Sequence, residues 1–112
     1  MILAVVMECL FSATFITELC GAGTAPDAVV IAHHAPIPFD VVAPRHNLLQ
    51  SSSRVDELCH RVGIPVYRVY HWQAVPDSFL QQFSFVVVAC FPRLLPAQRL
   101  ARLGVPTWNV HP

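Results

Sequence analysis

Short apolar runs and segments of helical spacing alternate along the chain. Residues 2–7 form a continuous apolar run of strand length, and residues 8–20 that follow have the spacing of a helix. Two glycines mark the end of that helix, and residues 28–32 form a second apolar run. This part of the sequence predicts a buried strand, a helix and a second buried strand.

The middle of the chain contains a long segment without periodicity. Residues 33–50 include three prolines and are predicted to form a loop, which at this length is typically functional or mobile. Residues 55–62 then carry apolar side chains at helical intervals, and residues 64–69 have the pattern of a third strand. Pro65, near the start of that strand, indicates a position at the edge of a sheet.

The last third of the chain continues the alternation. A short helix over residues 76–83 precedes the strongly apolar strand of residues 85–90, and a helix over residues 97–103 precedes a strand over residues 105–111. Strands that alternate with helices form parallel sheets. We therefore expect one α/β domain over residues 1–112: a three-layer, Rossmann-like parallel sheet of about five strands with helices on both faces.

Composition fits this fold and narrows the function. Hydrophobic residues make up 54% of the 112-residue chain and charged residues 12%, which excludes a disordered chain. Seven arginines balance seven acidic residues, and the sequence contains no lysine. A protein that neutralises many phosphates needs a basic stripe. Because the arginines are spread along the chain, any contact with RNA must come mainly from elsewhere.

Four cysteines lie far apart in the sequence, without the paired spacing of a zinc or redox centre. They are expected to be reduced core thiols, which predicts a cytoplasmic protein. The apolar N-terminus is interrupted by Glu8 and follows no basic residue, so neither a signal peptide nor a membrane span is expected. We expect His33, His34 and His46 to be solvated loop residues, and no metal site is predicted.

The turn after the first strand lacks the glycines that let a backbone approach a pyrophosphate. It reads Glu8-Cys9-Leu10-Phe11, with a carboxylate where a phosphate would bind. Binding of NAD or another phosphate ligand at this turn is therefore not expected. Ligands of parallel sheets bind beyond the carboxyl ends of the strands, so any site is expected at that edge.

Asn109 and His111 lie two residues apart on the last predicted strand, so their side chains point to the same side. The asparagine is able to donate a hydrogen bond to a developing oxyanion, and the histidine to move a proton near neutral pH. These are the groups needed when an amine attacks a formamide carbonyl. Taken alone, an Asn-x-His-Pro sequence at a strand end is also typical of a loop-capping arrangement.

Three segments resemble the N-terminal domain of the formyltransferase family. They are residues 63–66 (GIPV), residues 86–96 (VVVACFPRLLP) and residues 108–112 (WNVHP). The resemblance is specific from the third-strand region to the end of the sequence, rests on topology alone before it, and is greatest to the methionyl-tRNA formyltransferases. It implies a donor, 10-formyltetrahydrofolate, and transfer of its formyl group to a primary amine.

In that family the turn after the fourth strand receives the pterin of the folate, largely through backbone groups. The resemblance implies this role for four residues: Phe91, Arg93, Leu94 and Leu95. It implies oxyanion stabilisation by Asn109 and proton transfer by His111, completed by an aspartate further along the chain. Residues 1–112 are therefore expected to be incomplete at the C-terminal end and nearly inactive alone. For the two leucines, plain core packing is the competing interpretation.

Methionyl-tRNA is the first candidate acceptor of the formyl group, but other acceptors stay open. Family members that act on initiator tRNA carry a basic loop after the second strand, whereas residues 33–50 contain only Arg45 and three histidines. An amino-sugar nucleotide is the second candidate. A non-catalytic module of the same fold is the third, favoured by Glu8 in place of a glycine loop. The last strand is expected to leave an open sheet edge that promotes self-association.

Overall fold

A sheet of six strands forms the centre of the computed structural model, which describes residues 1–32, 39–42, 54–90 and 97–110. The strands are β1 (Ile2–Val6), β2 (Ala28–Ala32), β3 (Asp40–Val42), β4 (Val66–Val69), β5 (Phe85–Ala89) and β6 (Thr107–Val110). The helices are α1 (Leu10–Gly21), α2 (Arg54–Val62), α3 (Asp77–Leu80) and α4 (Ala97–Arg102), with a 3-10 turn at Trp72–Ala74.

Five of the described strands run parallel. Their order across the sheet is β4-β2-β1-β5-β6, and β3 pairs with β4 in the antiparallel sense at the outer edge. The parallel sheet therefore grows outward in both directions from β1, which has β2 on one side and β5 on the other. The predicted α/β fold with a parallel sheet of five strands is confirmed.

One edge of the sheet differs from the prediction. The sequence pattern predicts a loop over residues 33–50, but Asp40–Val42 forms a strand paired with β4. The strand that follows Pro65 therefore lies inside the sheet and not at its edge. The proline is tolerated because it precedes β4, where no N–H is required of it, while its carbonyl accepts a hydrogen bond from the Val29 N–H at 3.0 Å.

Side chains of the sheet alternate between two cores. Leu3 and Val5 face one core, which contains Trp72 and apolar side chains of α3 and α4. Ala4 and Val6 face the other core, which contains side chains of α1 and α2. Because β1, β2 and β5 are covered on both faces, nearly all of their residues are buried, which accounts for their continuous apolar sequences.

Helix α1 connects β1 with β2 and spans twelve residues. It begins after Cys9, whose sulfur accepts a hydrogen bond from the Ser12 N–H, and it is followed by Gly23, which adopts φ +78°. Glycine adopts this left-handed conformation after a helix without the strain that a Cβ atom causes. Among the described residues, no helix is long and apolar enough to cross a membrane.

Candidate functional site at the carboxyl ends of the strands

The parallel strands bring several polar residues to one edge of the sheet. Glu8 and Cys9 follow β1, Tyr70 and His71 follow β4, and Cys90 follows β5. All of them leave the sheet at the carboxyl ends of parallel strands, where ligands of such sheets bind. This edge is called the carboxyl rim below.

Asn109 lies on β6, the outermost parallel strand of the described sheet. It is the register partner of Val88 and is exposed, and it borders an open groove beside α4 that is lined by Ala101, Gly104 and Pro106. Its side-chain amide makes no hydrogen bond within the described part of the chain. Asn109 is therefore free to donate to a ligand, but the described residues do not enclose it.

The other residues assigned to the site by the resemblance lie outside the described residues. They are Phe91, Arg93, Leu94, Leu95 and His111. The strands that lead into these residues are described, and Ala89 on β5 is the register partner of Val110 on β6. Two of the motif segments, residues 86–96 and 108–112, therefore run along neighbouring strands to the carboxyl rim.

Glu8 has a structural partner at the rim. Its carboxylate accepts a hydrogen bond from the Val55 N–H, with oxygen distances of 2.9 and 3.1 Å. Val55 is in the first turn of α2, where the amides have no partner within the helix and the helix dipole favours negative charge. The turn after β1 thus supplies a carboxylate of the chain itself to this amide, which a bound phosphate would have to displace.

Cys9 and Cys90 meet at the centre of the rim, which the sequence analysis did not predict. The Cys9 sulfur lies 3.3 Å from the Ser12 hydroxyl oxygen and 3.4 Å from the Ser12 nitrogen. The thiols of Cys9 and Cys90 lie close enough for each to shift the pKa of the other. The sequence feature that could have indicated this pair is the position of each cysteine, shortly after an apolar run that forms a strand inside the sheet.

The surroundings of the two rim thiols shift their pKa values in opposite directions. Partial burial acts to raise the pKa of Cys9, but hydrogen bonds from Ser12 and from the Cys90 thiol outweigh it, and the pKa of Cys9 falls below its usual value. Burial, followed by the negative charge of Cys9, raises the pKa of Cys90. Cys9 is therefore the more readily ionised member of the pair.

The four cysteines are free, as predicted, but their burial corrects the expectation of core thiols. Cys59 is fully buried, whereas Cys9, Cys20 and Cys90 are only partly buried. Burial, together with the neighbouring groups Cys20 and Glu8, raises the pKa of Cys59 to about 12. Within the described residues, no group of three or more His, Cys, Asp and Glu side chains is arranged to hold a metal ion.

Comparisons with family models, with curated proteins and with solved structures found no match to this chain. Membership of the formyltransferase family therefore stays a proposal. Its support is the sequence of the two motif segments, together with the neighbouring strands that lead into them.

The aromatic residues near the end of β4 divide between core and rim. Tyr67 stacks on Phe39, with ring centroids 5.3 Å apart, and Trp72 is only 3% exposed. Ordinary packing accounts for both of these residues. Tyr70 remains at the rim, where its ring meets that of His71 edge to face, with centroids 4.6 Å apart. Of these three aromatic residues, Tyr70 is the one that lies at the rim and not in the core.

Proposed function

We propose that this protein is the folate-binding and catalytic segment of a 10-formyltetrahydrofolate-dependent formyltransferase, which transfers a formyl group to a primary amine. Methionyl-tRNA is its first candidate acceptor. The observation that carries the proposal is the pairing of β5 with β6, in which Ala89 and Val110 are register partners. Two segments with the family's sequence therefore run along adjacent strands to the edge where parallel sheets bind ligands.

Asn109 is suited to the role of an oxyanion donor. It is carried by a strand that is hydrogen-bonded to the buried strand β5, so its backbone is held by the sheet. Its amide is exposed and makes no hydrogen bond within the described part of the chain. A donor that is fixed in place but uncommitted stabilises a developing negative charge without first breaking another interaction.

The proposed chemistry is the attack of a primary amine on the formyl carbon of the folate donor. Asn109 donates a hydrogen bond from its amide N–H to the carbonyl oxygen as that oxygen becomes negative. His111 accepts the proton that the attacking amine loses and returns a proton to the folate nitrogen as the carbon–nitrogen bond of the donor breaks. The products are the formylated amine and tetrahydrofolate.

The charges of the described residues bear on the acceptor. Arg68 forms an ion pair with Asp56, and Arg99 forms one with Asp77. The chain has no lysine, and three of its five described arginines are exposed, so the described surface offers a tRNA backbone few positive charges. An amino-sugar nucleotide, which presents far fewer phosphates, is therefore the second candidate acceptor.

A single-turnover assay tests the proposal. The protein in excess is mixed with 10-formyltetrahydrofolate labelled in the formyl group, and with either methionyl-tRNA or an amino-sugar nucleotide. We expect slow transfer to one acceptor above the uncatalysed rate, and a loss of about 100-fold or more in Asn109→Ala, because removing one oxyanion donor has an effect of that size. Gln98→Ala, which removes an exposed amide from α4, serves as the control and is expected to retain the rate.

The outcomes of the assay separate the alternatives. Transfer that depends on Asn109 supports the enzyme and identifies its acceptor. Folate binding without transfer to either acceptor supports a non-catalytic module of the same fold. Neither binding nor transfer, in a protein that is folded by circular dichroism, overturns the proposal.

A further inference from the structure

The two central strands of the sheet each deliver a cysteine to the carboxyl rim. Strands β1 and β5 are neighbours, with Val6 and Ala89 as register partners at their ends. Cys90 directly follows Ala89, and Cys9 lies three residues beyond Val6. The pairing of β1 with β5 thus brings together two thiols that are far apart in sequence, and each affects the pKa of the other. Thiols in contact at partly exposed positions are the starting arrangement for disulfide exchange.

Thiol–disulfide exchange needs one thiol that ionises readily and attacks first, and Cys9 and Cys90 differ in this property. Cys9 is the N-cap of α1, and its sulfur accepts the Ser12 N–H, so the thiolate is stabilised by a helix amide and by the dipole of a twelve-residue helix. For Cys90 no such donor is found among the described residues, and its pKa is raised. One thiol is therefore prepared to attack, while the other stays protonated until the second step.

We propose that Cys9 and Cys90 form a reversible redox pair that a small-molecule disulfide oxidises to an intramolecular disulfide. In the first step the Cys9 thiolate attacks one sulfur of the small disulfide, forms a mixed disulfide and releases one small thiolate. In the second step Cys90 loses its proton to solvent and attacks the Cys9 sulfur, which releases the second small thiolate. The protein gives up two electrons and two protons, and the small disulfide becomes two thiols.

Because Cys9 and Cys90 lie at the rim, their oxidation is expected to change the geometry of the rim. The new bond joins the end of β1 to the end of β5, and residues 91–95 follow Cys90 directly in sequence. Oxidation also alters the sulfur that caps α1. The redox state of the pair therefore controls the geometry of the rim, and this inference stands whether or not the chain is a formyltransferase.

Cys20 and Cys59 form a comparison pair within the same chain. They are close enough for the charge of Cys20 to affect Cys59, but Cys59 is fully buried and has its pKa raised to about 12. The thiolate of Cys59 is therefore scarcely populated at neutral pH, and small disulfides have no access to it. We therefore do not expect Cys20 and Cys59 to form a disulfide, because Cys59 is neither accessible nor ionised.

Redox titration with mass spectrometry tests the proposal. The protein is equilibrated near neutral pH in glutathione buffers of increasing oxidised fraction, quenched with acid and digested for peptide mapping. We expect a species that has lost two hydrogens, contains a Cys9–Cys90 cross-link and is fully restored by dithiothreitol. In Cys90→Ser the product is expected to stop at a glutathione adduct on Cys9.

Two further variants make the test specific. Cys9→Ser keeps a good helix cap, so it should fold, and it is expected to lose both the cross-link and the rapid formation of an adduct. Cys20→Ser is the control and should form the Cys9–Cys90 cross-link as the unchanged protein does. Absence of any intramolecular cross-link at every glutathione ratio, or a Cys20–Cys59 cross-link in its place, would overturn the proposal.

Discussion

At the scale of single residues, the four cysteines show how position changes the behaviour of one side chain. Cys59 lies on the buried face of α2, where burial and the charges of Cys20 and Glu8 disfavour its thiolate. Cys9 lies at a helix N-terminus, where Ser12 supplies donors to its sulfur. The same functional group is therefore inert at one position and reactive at the other.

The buried thiol of Cys59 predicts a loss of stability in alkaline solution. Its pKa is about 12 in the folded chain, against an ordinary value of 9.0, so above pH 9 the unfolded chain releases a proton that the folded chain retains. The contribution is fully present below pH 9 and is lost as the pH rises toward 12. We expect this residue alone to lower the unfolding free energy by about 1 kcal/mol per pH unit in that interval.

Urea denaturation at several pH values between 8 and 11 measures this effect. In Cys59→Val, which keeps an apolar side chain of similar size, the decline with pH should be shallower than in the unchanged protein. In Cys20→Ala most of the decline should be preserved, because burial, the largest cause of the raised pKa, is unchanged there. Parallel declines in the unchanged protein and in Cys59→Val would contradict the assigned burial.

At the scale of elements, Arg99 joins α4 to the segment before α3. Its guanidinium donates to the carboxylate of Asp77 at 2.8 Å, to the Trp72 carbonyl at 3.0 Å and to the Val75 carbonyl. The side chain is only 15% exposed. These carbonyls lie at the two ends of the 3-10 turn, and the fork of donors on one guanidinium binds them together.

Removing this side chain is expected to destabilise the fold. Arg99→Ala should lower the unfolding free energy by about 2–3 kcal/mol, because charged hydrogen bonds are lost and the Val75 carbonyl loses the donor that Arg99 supplies. Arg99→Lys should recover only part of this, since an ammonium group lacks the planar fork. Urea titration of the folded protein measures both changes.

Arg102 on the same helix provides the matched control. It faces the same aspartate at 3.7 Å but is 66% exposed. Arg102→Ala is therefore expected to change the unfolding free energy by less than about 0.5 kcal/mol. Equal losses in the Ala variants of Arg99 and Arg102 would show that the Arg99 contacts do not stabilise the fold.

Most elements contain long apolar runs and could be predicted from the sequence, whereas the three-residue strand β3 could not. Strand β2 begins and ends at the predicted residues. It is an apolar run buried on both faces, and no polar residue within it makes its limits ambiguous. Strand β3 was missed because three residues carry no detectable period, and its pairing with β4 is made across a gap in sequence. Its presence in turn moved β4 from the predicted edge into the sheet.

The candidate site was predictable only in part, for a similar reason. The position of Asn109 at the end of a strand follows from the local pattern and was foreseen. The meeting of Cys9 with Cys90 depends on which strands become neighbours, and the sequence pattern gives the order of strands along the chain but not across the sheet. The thiol pair therefore emerged only with the topology.

At the scale of the whole molecule, β6 forms one edge of the described sheet, and Trp108 on this strand is 66% exposed. The indole meets the Phe85 ring edge to face, with ring centroids 5.1 Å apart. An edge strand offers unpaired backbone groups to another chain, and an exposed aromatic side chain adds apolar area to such a contact. We therefore expect the protein to self-associate through β6.

Multi-angle light scattering over a range of protein concentrations tests this expectation. Trp108→Lys places a charge on the edge strand and should shift the protein toward monomer. Leu10→Lys is the matched control, because Leu10 is 62% exposed but lies on α1, away from any strand edge. A concentration-independent monomer in the unchanged protein, or equal effects of the two lysines, would contradict association through β6.

The proposed folate site depends on a single residue, on two elements and on the whole fold, because it requires Asn109, the ends of β5 and β6, and the parallel order of the sheet. The most direct test is amide chemical-shift mapping of the ¹⁵N-labelled protein with a stable folate analogue that carries the 10-formyl group. We predict saturable shifts at Cys90, at residues 91–95 and at Asn109, with the amides of α2 unchanged. No saturable shifts, or shifts confined to α2 and the first turn after β1, would contradict the account.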